Sequence, residues 1–345
     1  MSNNNFPKLH NATWPGIVGK GDLEPIIALD ELLEKTASAT VNGVKFDGVD
    51  LGLFDPHVKL NPSDDNISWI TDKIGGYGLE IGTLVAPIWP PDGGSAMGSQ
   101  QDRDKFVEVI AKSAEMGYKL RKQGIRTNNV IRIDSATGVE DWAENSLENT
   151  KLIAETFRRA CDVASGFGER LAAEGEICWG GMQSWRKMLD TLEMVDRDNI
   201  GFQADMSHTF LYLLGYNSPE DRILKTDFEW NDRAELERGL QFLTAQLRPW
   251  TIDFHVAQND GTVFGSGTHD KTGRHCLPTD PNGKLDIVQD AGYWLRDDLG
   301  KLTKSFRHIC WDGCMFPNEV MHKQETWNSI LETLINVRDR HGWSE

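Results

Sequence analysis

Apolar positions along the chain follow two alternating rhythms. Short runs that are apolar at every second residue, or apolar throughout, predict strands over 8–12, 48–53, 79–86, 129–134, 170–179, 200–205, 251–256 and 307–311. Between them, apolar residues three and four apart predict helices over 30–40, 104–122, 148–167, 185–195, 233–247 and 327–341. Strands that alternate with helices argue for a parallel sheet, and eight of them for closure into a (β/α)8 TIM barrel of class α/β. A doubly wound open sheet is the rival, but no G-x-G-x-x-G turn follows an early strand. The 345 residues fit one such barrel, so a single domain is expected over 1–345. Two connections, 87–103 and 259–284, are long and rich in Gly, Pro and polar residues. In a barrel both would overhang the C-terminal face, as lids on one site.

Four residues near the ends of separate predicted strands carry the candidate chemistry: Glu176, Asp205, His255 and Asp312. Carboxylates and an imidazole that converge from strand ends make a mixed oxygen and nitrogen site for a divalent cation. Glu174 competes with Glu176, since both lie on one face of an extended strand; Glu176 is taken as the nearer to the carboxyl end. His208, three residues after Asp205, can reach the same pocket and face a substrate. His10, Trp14, Trp89 and Arg132 are further candidates for substrate contact, with Trp14 and Trp89 beside prolines in predicted loops.

These residues resemble the xylose-isomerase-like TIM-barrel superfamily, which includes ketose 3-epimerases, inosose dehydratase and endonuclease IV. The resemblance rests on the Glu176 strand, on Asn199-Ile200-Gly201-Phe202-Gln203-Ala204-Asp205 with His208, on Asp253-Phe254-His255-Val256 and on the acidic strand end at Asp312. It implies that Glu176, Asp205, His255 and Asp312 bind one divalent ion, Mn2+ first, with Co2+, Mg2+ or Zn2+ as alternatives. It also implies that Glu176 and Asp312 exchange a substrate proton through a metal-stabilised enediolate of a ketose or keto-sugar. The chain departs from the pattern in ending on Asp312 where glutamate is usual, and in carrying Gly261 and Thr262 where epimerases place an arginine. The segment 259–284, with His269, Asp270, Arg274 and His275, resembles an insertion able to supply its own acid or base. The alternative chemistry is therefore a β-elimination, by a metal-dependent lyase or dehydratase acting on a keto-sugar or 3-keto-glycoside.

Charge narrows the partners. With 53 Asp+Glu against 36 Lys+Arg the net charge is −17, which repels phosphate backbones and argues against nucleic acid, including an endonuclease role. No run of apolar residues is long enough to predict a membrane span, and no secretory leader is read at the N-terminus. The five cysteines are scattered, as expected of reduced thiols in a cytoplasmic protein. A non-catalytic sugar-binding subunit would be expected to lack the ligand set, whereas all four positions hold ligating residues. A homo-oligomer is compatible with the sequence, which locates no interface.

Overall fold

The computed structural model describes residues 5–21, 24–264, 272–297, 299–303 and 306–344. Eight strands close into a parallel barrel: β1 (Lys8–Ala12), β2 (Gly48–Gly52), β3 (Glu80–Val85), β4 (Val130–Ile133), β5 (Arg170–Glu174), β6 (Ile200–Asp205), β7 (Thr251–Val256) and β8 (His308–Trp311). β8 pairs with β1, which shuts the sheet, with Cys310 opposite His10. One main helix follows each strand: α1 (Leu29–Ser38), α2 (Asp64–Gly75), α3 (Gln100–Lys122), α4 (Ser146–Ser165), α5 (Trp185–Val195), α6 (Arg233–Leu247), α7 (Ile287–Leu295) and α8 (Gln324–His341). The expected (β/α)8 barrel is therefore present. None of the described helices is long and apolar enough to cross a membrane.

The strands alternate, and the alternation sorts the molecule into two cores. Leu9, Val49, Leu51, Ile131, Ile133, Leu171, Phe202, Phe254, Val256, Ile309 and Trp311 are buried against the helices. Most of the intervening positions are polar. His10, Asp50, Arg132, Glu174, Gln203, Asp205, Asp253, His255 and His308 are all buried, and they fill a space that branched aliphatic residues occupy in most such barrels. Buried polar residues survive only where they are paired, so the barrel axis is organised by hydrogen bonds and charge.

The predicted strand over 170–179 is shorter than expected: β5 stops at Glu174. Gly175 ends it. A Cβ there would stand 2.3 Å from Tyr212 Oη, so the chain must turn away at a residue without a side chain. Tyr212 belongs to a short helix, Met206–Leu214, that follows β6 and starts on Asp205 as its N-cap. After β7, Val263–Phe264 pairs antiparallel with Thr272–Gly273, so the described part of the second long connection is a hairpin. Of the residues singled out there, His269 and Asp270 lie outside the described residues.

Candidate metal centre

Glu174 closes β5, Asp205 closes β6, His255 is next to last in β7, and Asp312 directly follows β8. One ligand atom from each lies within 4.8 Å of all the others, and all four residues are buried. Each is fixed by its own neighbours. Asp205 Oδ1 accepts from Ser207 N at 2.7 Å and His208 N at 3.2 Å, which caps the short helix. Its Oδ2 has no hydrogen-bond partner. Asp312 Oδ1 accepts from Cys314 N at 2.7 Å and from Trp14 Nε1 at 3.2 Å. His255 Nδ1 lies 3.9 Å from Asp205 Oδ2 and 3.8 Å from Asp312 Oδ2, with the Trp14 ring stacked beside it at 5.4 Å. Glu174 is held by Arg132, and its Oε1 is left without a partner.

Electrostatics show how far this arrangement is from self-sufficient. Burial pushes Glu174 up to about 8, with Arg132 opposing and Glu176 adding to the shift. Burial also acts on Asp205, yet the imidazoles of His208 and His275 hold it at about 2. His255 resists its burial and rises well above the usual histidine range, through Asp312 and Asp50. Three carboxylates gathered in low dielectric, two with an orphaned oxygen, cost several kcal/mol unless a cation joins them. Three carboxylates and an imidazole fit a divalent ion of the Mn2+, Mg2+, Co2+ or Zn2+ type.

Glu176, the acid preferred from the sequence, lies outside the group of four; it clusters with Glu174 and His208. Its Oε1 accepts from Arg132 Nη2 at 2.5 Å and its Oε2 from Thr272 Oγ1 at 2.6 Å. The physical reason is the early end of β5, which turns Glu176 off the strand and leaves Glu174 as the last inward side chain. Arg132 lines the pocket with its guanidinium already paired to carboxylates. It joins Glu174, Glu176 and Asp134, the last at 2.6 Å from Nη1, and lies over the Trp89 ring at 5.1 Å. Trp89 donates to Asp134 Oδ1 at 3.2 Å. Asp134, which burial lifts to about 6, has no motif to reveal it in the sequence.

His208 does face the group, with Nε2 4.0 Å from Glu174 Oε1 and 3.9 Å from Glu176 Oε2. Trp14, Phe54, Trp89, Arg132, His208, His255 and Asp312 line a common pocket. His10 is elsewhere. It sits inside the barrel, 3.0 Å from Asp50 Oδ1 and stacked on His308, and does not line the pocket. A histidine on a strand's inward face is legible from alternation, but its depth along the axis is not. The pocket has a volume of about 30 Å3. That is room for an ion or a water molecule and too little for a sugar ring, so a substrate must displace side chains. A second cavity of about 240 Å3, at the opposite end of the barrel, is lined by Asp253, His308, Arg170 and Arg307 but by none of the four ligand candidates.

A search against curated proteins finds no match for this chain. Solved structures with the same fold are numerous. A D-tagatose 3-epimerase-like protein is 15% identical, with a TM-score of 0.60 over 96% of this chain and 98% of its own. A 3-keto-D-glucoside 4-epimerase from E. coli is 13% identical, with a TM-score of 0.53 over 94% and 99%. A xylose isomerase-like TIM barrel protein from Mycobacterium smegmatis in complex with magnesium is 13% identical, with a TM-score of 0.58 over 98% and 100%. At such identities the likeness is one of fold. The family described as xylose isomerase-like TIM barrel matches residues 39–275, more than half of the sequence. The chain belongs to the xylose isomerase-like TIM barrel family.

Proposed function

We propose that this protein is a divalent-metal-dependent sugar isomerase or epimerase that acts on a ketose or keto-sugar, with Glu174, Asp205, His255 and Asp312 as the metal ligands. The observation that carries the reading is the convergence of these four buried side chains at the carboxyl ends of β5 to β8, with Glu174 Oε1 and Asp205 Oδ2 unpartnered. The epimerases among the structural relatives, and the relative that holds magnesium, support the class of reaction and the need for an ion. An ion bound there supplies Lewis acidity, which makes the C–H next to a sugar carbonyl easier to ionise.

The chain's own residues do the rest. Glu174 or Asp312 takes the proton from carbon, and the electron pair moves onto the carbonyl oxygen. For epimerisation the other carboxylate gives a proton to the same carbon from the opposite face as the carbonyl re-forms; for isomerisation the neighbouring carbon takes the proton while the hydroxyl proton passes from one oxygen to the other. Trp14 and Cys314 N fix Asp312, and Arg132 fixes Glu174, so both carboxylates are oriented before substrate arrives. Glu176, anchored by Arg132 and Thr272, and His208 at its side present polar groups to sugar hydroxyls. Trp14, Phe54 and Trp89 offer flat apolar faces for the C–H side of the ring.

The test is deuterium incorporation from heavy water into ketoses and keto-sugars, followed by NMR with Mn2+ added and with chelator. We expect metal-dependent exchange at carbon that Asp312→Asn lowers by about 10²–10⁴-fold. Exchange that survives chelation, or that is indifferent to Asp312→Asn, would refute the assignment.

A further inference from the structure

We infer that His275, carried by the hairpin that follows β7, is a fifth ligand of the same ion, so that the ion ties the hairpin to the barrel mouth. The inference rests on the metal centre proposed above. His275 comes three residues after Thr272, on the returning arm of the hairpin. Its side chain is fully buried, and neither ring nitrogen has a hydrogen-bond partner. Its Nε2 lies 3.6 Å from the equally unpartnered Asp205 Oδ2 and 4.0 Å from Asp312 Oδ2. The His208 ring stands edge-on to it at 4.9 Å and closes the far side.

The backbone around His275 is held firmly enough to aim it. Arg274 N donates to Thr262 O at 3.1 Å, and Cys276 N donates to Gln258 O at 2.9 Å, while Ser207 Oγ donates to Arg274 O at 3.3 Å. Thr272 Oγ1 adds its bond to Glu176 on the barrel side. A buried imidazole with both nitrogens unmatched is costly, and a cation between it and Asp205 removes that cost. The consequence is mechanical. A ligand on the hairpin makes the seating of its returning arm against Asp205 depend on the ion.

The competing arrangement is a simple ion pair, in which a protonated His275 faces Asp205 and Asp312 and touches no metal. Co2+ distinguishes the two, because its visible absorption follows its ligand set. Metal-stripped full-length protein is titrated with Co2+ as wild type, His275→Gln, His275→Asp and Asp205→Asn, with far-UV circular dichroism as the check on folding. We expect His275→Gln to alter the Co2+ spectrum and to weaken binding by more than the roughly 10–100-fold that follows loss of an outer partner. His275→Asp, which restores a donor atom, should recover part of the affinity. Co2+ should also slow proteolytic cleavage within residues 259–284 in wild type but not in His275→Gln. Unchanged affinity and spectrum in His275→Gln, with binding lost in Asp205→Asn, would overturn the inference and leave the four-residue centre standing. No Co2+ binding by wild type would overturn both.

Discussion

Two groups of buried carboxylates and imidazoles share the barrel, and they differ in how far they satisfy one another. The deeper group is His10, Asp50, Asp253 and His308. Asp50 accepts from Thr83 N at 3.1 Å, His10 Nδ1 at 3.0 Å and His308 Nε2 at 3.1 Å, while Asp253 Oδ1 accepts from Thr83 Oγ1 at 2.9 Å. The His10 and His308 rings stack at 4.3 Å. There is no room to spare: a Cβ on Gly82 would stand 2.1 Å from Asp50 Oδ1 and 2.5 Å from His10 Nδ1. Its leftover atoms, Asp253 Oδ2 and His10 Nε2, still lie 3.6 Å from His255 Nε2 and 3.4 Å from Glu80 Oε1. The upper group, at the strand ends, leaves more atoms over: Glu174 Oε1, Asp205 Oδ2 and both His275 nitrogens have no hydrogen-bond partner. Residue type alone does not separate a ligand site from a structural network; what separates them is the set of donor atoms left over.

The comparison breaks most visibly on stability. Asp50→Leu removes the acceptor shared by His10 and His308 and leaves the His10 charge buried without its main partner, so the protein should lose about 3–5 kcal/mol in urea unfolding. Asp205→Asn in the upper group should cost far less in metal-free protein, because asparagine caps the helix at Met206 nearly as well. Equal losses would mean that the upper group is structural too.

A smaller effect sharpens the contrast through pH. Burial opposes a charged His10, but Asp50 and Glu80 raise it to about 9. A folded value above the ordinary 6.5 contributes stability that is complete below 6.5 and is lost as pH rises through about 9. Chelator-treated protein should therefore melt at a lower temperature at pH 10 than at pH 7, and His10→Gln should reduce that fall. A fall of the same size in His10→Gln would remove His10 from the deeper network's charge balance.

Much of this was legible in the sequence. β1, β6 and β7 and helices α5 and α6 match the predicted bounds, because their alternation or three-and-four spacing is unbroken and turn residues flank them. Asp205, His255 and Asp312, proposed above as ligands, were readable as strand-end residues for the same reason. Glu176 was preferred to Glu174, the ligand now proposed, because Ile177-Cys178-Trp179 continues the apolar run past Gly175, although Ile177 and Cys178 form a turn and Trp179 only an isolated bridge to Gly138. The helix Met206–Leu214 escaped because all but one of its residues is buried, so it shows no polar face. His275 approaches Asp205 only through a hairpin whose pairing no local pattern specifies.

The choice between the two glutamates is the centre of the account, and metal affinity decides it. Calorimetric titration of Mn2+ into metal-stripped wild type, Glu174→Gln and Glu176→Gln should show binding lost in Glu174→Gln. In Glu176→Gln it should be weakened only by the roughly 10–100-fold expected for an outer partner. Binding retained in Glu174→Gln and lost in Glu176→Gln would contradict the assignment and return the ligand role to Glu176.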